Sequence, residues 1–161
     1  MAWLGWCGSA QSKKKNTYLY KYGDEYSDVT GGWSNNGWMW NASSALPSAT
    51  VADQYLSIGE SQGLGTQMKI DLTDIAYIRV KADVTKVDQG TCNLTINSDG
   101  KYYYQGGNPV IYTNEFRPTG IGDFYFDVSS YSGGQWYIGL ASPGSNRAMK
   151  VYEIELIPVQ S

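Results

Sequence analysis

The chain reads as an all-β protein, a single antiparallel β-sandwich of the jelly-roll kind, and three observations predict it. Glycine (19) and tyrosine (14) are in excess; tyrosine suits a pleated strand, and glycine suits the tight turns between strands. Apolar and polar residues alternate with period two in segment after segment, divided by turn residues, giving roughly nine to eleven strands. No stretch of useful length carries a helical period. At 161 residues, 42% hydrophobic and 17% charged, the chain fits one domain able to bury a core and is not composed like a disordered one. Residues 1–16 form an irregular N-terminal arm, and 17–161 form the sandwich.

Taken in order, Tyr18 to Tyr22 alternates as a first strand, Gly23-Asp24 turns, and Asp28 to Gly32 is a polar loop that ends beside Trp33 as a corner plug. Trp38 to Ala42 reads as a short strand, Val51 to Ile58 as another, and Gly59 to Gly65 as a glycine-rich loop. Met68, Ile70 and Leu72 share a face. From Ile75 to Val84, Ala76, Ile78, Val80, Ala82 and Val84 face a core, while Tyr77, Arg79, Lys81 and Asp83 face water. Cys92, Leu94 and Ile96 repeat that pattern, and Ser98-Asp99-Gly100 turns into Lys101–Gln105. Val110 to Tyr112 follows. Further on, Phe124, Phe126 and Val128 share one face, and Trp136, Ile138 and Leu140 another. The last strand sets Tyr152, Ile154 and Leu156 against Glu153 and Glu155, which read as ordinary solubility residues.

The chemistry is defined first by what is missing. With no histidine, Ser-His-Asp and Cys-His catalysis and the common zinc sites are excluded. A net charge of −3 and a pI near 4.8 argue against nucleic acid. Cys7 and Cys92 set no disulfide framework, and Cys92 reads as a small buried hydrophobe. A two-carboxylate glycosidase remains the one enzymatic route, with Asp24, Glu25, Asp28, Glu60, Asp99 and Glu115 to draw on. Most of these lie in turns, where aspartate closes its own backbone, so no enzyme and no cofactor are expected. Structural calcium on Asp24, Glu25 and Asp28 is a milder alternative. Asn93-Leu-Thr95 matches the glycosylation pattern, which occurs too often by chance to use.

Aromatic residues among turn residues are the remaining signal. Trp33, Trp38, Trp40, Tyr102–Tyr104 and Trp136 can serve a core, a subunit interface or a platform for the C–H face of a sugar ring. Asn35, Asn36, Gln105 and Asn108 suit sugar hydroxyls. The candidate ligand-binding set is Asn35, Asn36, Trp38, Trp40, Tyr103 and Asn108. In the arm, Trp3 and Trp6 with Lys13, Lys14 and Lys15 suit docking into an assembly, or a solvated tail. Read from Met1, the opening is apolar but has no basic region before it and is too short for the apolar region and cleavage site of a classical export signal, which predicts synthesis in a cytoplasm and no membrane insertion.

Three phrases carry a resemblance: Tyr18-Leu-Tyr-Lys-Tyr-Gly-Asp24 with Val29-Thr-Gly-Gly-Trp33; Met68-Lys-Ile-Asp-Leu-Thr73 with Tyr77-Ile-Arg-Val-Lys81; and Val151-Tyr-Glu-Ile-Glu-Leu156. Together, over about residues 18–157, they resemble the jelly-roll, galactose-binding-like domains of tail and other structural proteins of phages of Gram-positive bacteria. The resemblance implies a non-catalytic virion protein, a tail, baseplate or capsid-surface component. Such a protein would form a homo-oligomer, contact other virion proteins, attach to host saccharide and reach the exterior on release of the particle. A carbohydrate-binding module of a secreted polysaccharide-active system is the alternative from another class. No ligand residue is carried over from the resemblance.

Overall fold

The structure, a computed structural model, describes residues 16–34, 51–52, 54–60, 62–85, 92–98, 112–116, 119–142 and 148–160, with 51–52 and 112–115 described in their backbone. The chain runs through β1 (Thr17–Lys21), a single helical turn α1 (Ser27–Thr30), β2 (Trp33–Ser34), β3 (Val51–Ala52), β4 (Tyr55–Ile58) and β5 (Gln62–Thr66). It continues through β6 (Ile70–Asp71), β7 (Ile75–Thr85), β8 (Asn93–Asn97), β9 (Tyr112–Glu115) and β10 (Gly120–Asp127). A short 3-10 helix (Ser129–Tyr131) then leads to β11 (Gln135–Ser142) and β12 (Ala148–Pro158).

Among the described residues these strands make two antiparallel six-stranded sheets. The front sheet runs β10-β7-β12, with β4 and then β3 beside one half of β12 and β1 beside the other half. The back sheet runs β2-β5-β11-β8-β9, with β6 beside the start of β11. From β7 onward the chain passes to the back sheet for β8 and β9, to the front for β10, to the back for β11 and to the front for β12. That repeated crossing is the connectivity of a jelly roll. No helix among the described residues is long and apolar enough to cross a membrane.

Alternation predicted the core well where strands are long. In β7, Ile78, Val80, Ala82 and Val84 are buried while Tyr77 is exposed. Cys92, Leu94, Ile96, Phe124, Phe126, Val128, Ile138 and Leu140 join them between the sheets, with Phe116 wedged between Phe124 and Phe126 at ring distances of 5.0 and 4.9 Å. Trp33 plugs one corner of that core, its indole N–H donating to the Leu19 carbonyl at 3.0 Å. Gly31 permits this corner: its φ is +70°, and a Cβ there would lie 2.6 Å from the Met68 Cγ. Any other residue at 31 would be strained in backbone and crowded in side chain.

Four expectations are corrected. Residues 62–66 form a strand and not part of a loop, because a strand without large side chains is legible only through its partners, here β2 and β11. Met68 is half exposed and sits over Gly31, outside the face shared by Ile70 and Leu72. In the first strand only Leu19 and Tyr20 are buried, and a register shift between Tyr18 and Tyr20 breaks the alternation. In β12 a second shift falls between Val151 and Glu153. Met149 and Val151 point inward before it, and Ile154 and Leu156 after it. Tyr152 is the extra residue of this bulge and packs edge-on against Tyr55, away from the core.

Candidate functional site

Two side-chain groupings lie on the outer faces of the sheets, on opposite sides of the molecule. On the front sheet the register places Arg79 of β7 between Glu155 of β12 and Tyr125 of β10. Its Nη1 donates to Glu155 at 2.8 Å and to Glu153 at 3.0 Å, Nη2 also donates to Glu153, and Nε reaches Asp123 at 3.3 Å. Asn16 donates to the other oxygen of Glu155 at 2.9 Å. Glu153 and Glu155 are therefore not solubility residues: each is 6% exposed and tied to a guanidinium that is itself nearly covered. Burial opposes the charge on Arg79, but Glu155, Glu153, Asp123 and Tyr125 outweigh it, and its pKa rises above the ordinary value. The cluster ties β10, β7 and β12 together and leaves its carboxylates committed.

The other grouping belongs to the back sheet. Because Leu94 and Ile96 point into the core, Asn93, Thr95 and Asn97 point away from it, yet they are only 0–1% exposed. Tyr137, Gly139 and Ala141 of β11 share this outer face, as do Gly63 and Gly65 of β5 and, opposite the core residue Trp33, Ser34 of β2. Register aligns one row across four strands: Thr95, Gly139, Gly65, Ser34. Two glycines in the middle leave a flat floor with no side chain, and adjacent strands about 4.8 Å apart separate the flanking hydroxyls by roughly 14 Å. Both end hydroxyls, Thr95 Oγ1 and Ser34 Oγ, are buried and have no hydrogen-bond partner. An unsatisfied buried hydroxyl is costly, on the order of 1–3 kcal/mol, and its persistence calls for an explanation. Asn93 with Ala141 and Gly63 forms the next row, and Asn97 with Tyr137 the row on the other side. Lys69 lies over the Tyr137 ring, 5.7 Å from its centroid. On β2, β5, β8 and β11 this outer face carries no charge.

The sequence-predicted site residues fall elsewhere. Asn35, Asn36, Trp38, Trp40, Tyr103 and Asn108, together with Asp99 and the arm residues Trp3, Trp6, Lys13, Lys14 and Lys15, lie outside the described residues. Trp33 and Trp136 are removed from any sugar platform: the first plugs the core, and the second packs against it at 5.7 Å from the Tyr131 ring. Of the carboxylates considered for catalysis or calcium, Asp24 accepts the Tyr26 N–H at 3.0 Å and closes a turn, and Asp28 sits in the first turn of α1. Among the described residues no three His, Cys, Asp or Glu side chains come together to hold a metal ion.

Sequence reasoning passed over Thr95, Ser34 and the floor glycines. The available signal was Asn93-Leu-Thr-Ile-Asn97 itself. A solvent face normally carries Lys, Glu or Asp, so a strand whose polar side is wholly uncharged is one whose polar side is covered. Compared with family models, curated proteins and solved structures, the chain matches none.

Proposed function

We propose that the chain is a non-catalytic β-sandwich of a phage particle, attaching to saccharide through the outer face of the back sheet. The observation that carries the saccharide half is the Thr95–Gly139–Gly65–Ser34 row, two positions without side chains between two buried hydroxyls that lack partners; the row is closed to solvent in this structure, Thr95 being 1% exposed, so a saccharide reaches it only when the face opens. A saccharide of at least two units supplies what that row wants: flat C–H faces for the glycine positions and hydroxyls at both ends that donate and accept. For the virion half, support comes from the three resembling phrases, which fall on β1, β7 and β12 of the front sheet and on Trp33 of β2 and β6 of the back sheet. Those phrases mark the scaffold and not the floor. The Arg79 clamp on Glu153 and Glu155 favours a non-catalytic reading, because neither carboxylate is available to move a proton to a substrate.

Binding of the full chain to purified Gram-positive wall polysaccharides, with plant polysaccharides alongside, tests the reading. Thr95→Val, which keeps shape and removes the hydroxyl, is expected to weaken binding by up to about tenfold. Gly139→Ala, which raises a methyl from the floor, is expected to do the same or worse, and both variants should melt within a few degrees of the parent. Silence across all the polysaccharides, or binding indifferent to both substitutions, would sink it.

A further inference from the structure

Sheet edges in this molecule are treated unequally. Both β2 and β3 are two-residue strands, the short kind of edge that discourages pairing with other chains. By contrast β10, at the end of the front sheet, is eight residues long and, among the described residues, pairs only with β7. It has no proline and no lysine, and it displays Ile121 (72% exposed) and Tyr125 (58% exposed) on its outer face. None of the usual protections against edge pairing is present except two aspartates. At Gly120, where the strand begins, a Cβ would meet nothing within 4 Å.

We infer that β10 is a self-association edge, which pairs antiparallel with β10 of a second copy about a two-fold axis at Asp123 and joins two front sheets into one. The register follows from matching side chains. Centring the axis on Asp123 sets Ile121 opposite the partner's Tyr125, and Tyr125 opposite the partner's Ile121, so the two exposed apolar residues cover each other twice. Gly122 then faces the partner's Phe124, a small residue beside a large one. Moving the axis by one residue in either direction sets Ile121 against an aspartate, Asp123 or Asp127, and loses both apolar pairs. The chosen register brings the two Asp123 side chains together on the axis, an unfavourable pairing by itself. Each, however, has its own Arg79 at 3.3 Å and Lys81 opposite it in the register, which lessens the repulsion even though Glu153 and Glu155 share the same guanidinium. The symmetry is the isologous two-fold of most homodimers. One added strand pair makes a small contact, so the dimer belongs to the weak, concentration-dependent class.

Sedimentation velocity on the full chain over a wide concentration range tests this. The parent is expected to show a monomer–dimer equilibrium. Ile121→Lys places a charge on the edge at a fully solvated position and should weaken the dimer roughly tenfold or more with an unchanged melting temperature. Asp123→Asn, which removes the like charges at the axis, should tighten it. In a Cys7→Ser background, Asp123→Cys should cross-link to its own copy under mild oxidation, and Ile121→Cys far less, because only residue 123 meets itself. A chain monomeric at every concentration, a dimer indifferent to Ile121→Lys, or a cross-link that favours position 121 would each overturn the inference. None of these readouts depends on saccharide, so failure here leaves the proposed function standing.

Discussion

Tyr22 occupies a backbone position that suits almost any aromatic badly. Lys21 and Asp24 exchange backbone hydrogen bonds of 3.0 and 2.9 Å across a two-residue turn, in which Tyr22 has φ 44° and Gly23 φ 89°. Positive φ at both central positions marks the turn type that prefers Asn-Gly. A residue with a Cβ costs about 1–2 kcal/mol in the left-handed region, and asparagine tolerates it better. Against this, the Tyr22 ring lies 6.0 Å from the Lys21 ammonium and 5.9 Å from that of Lys81, an exposed attraction of about 0.5–1 kcal/mol, and the Lys81 ammonium donates to the Tyr22 hydroxyl at 3.3 Å. Tyr22→Asn is therefore expected to stabilise by at most roughly 0.5 kcal/mol, since the relief of the turn is largely offset by the loss of these exposed contacts, read as a higher urea midpoint at constant slope. A lower midpoint would mean that the ring contacts outweigh the turn. At this scale the sequence was half legible. Gly23-Asp24 announced a turn, but nothing in Tyr22 announced its φ, which the pairing of Lys21 with Asp24 imposes.

At the scale of elements, the Arg79 cluster replaces loose surface charge with a tie across three strands. Removing one partner of a buried ion pair leaves an uncompensated charge, at a cost of about 3–5 kcal/mol. Arg79→Ala should destabilise by that amount at neutral pH, measured by urea unfolding. Adding Glu153→Gln and Glu155→Gln to Arg79→Ala should recover much of the stability; a triple variant no more stable than the single one would assign the cost to packing. The alternation in β12 foretold that both glutamates leave the core face, and they do. Their burial was not foretold, because it depends on Arg79 and Asp123 arriving from β7 and β10, both more than 25 residues earlier in sequence. The bulge at Tyr152 is equally invisible from the sequence: an inserted residue shifts the period only relative to a partner strand.

At the scale of the whole molecule, the floor and the β10 edge belong to different sheets, so pairing two front sheets leaves both floors uncovered by the pair. If both readings hold, a dimer carries two attachment points, and multivalent binding exceeds single-site binding without any new contact. Ile121→Lys should then weaken retention on a saccharide-coated surface by tenfold or more while leaving affinity for a soluble monovalent oligosaccharide unchanged. Equal losses on both would place position 121 in the ligand site instead. What the sequence by itself determined was the all-β class and the buried faces of β7, β8, β10 and β11, because period-two alternation is a local consequence of the pleat and needs no partner to be read. Tertiary structure alone decided that residues 62–66 are a strand, that Glu153 and Glu155 are buried, and that Thr95 and Ser34 face each other over two glycines. Each of these is a relation between strands distant in sequence. Register fixes such relations, and register is set by the summed pairing of the sheet and not by any one segment.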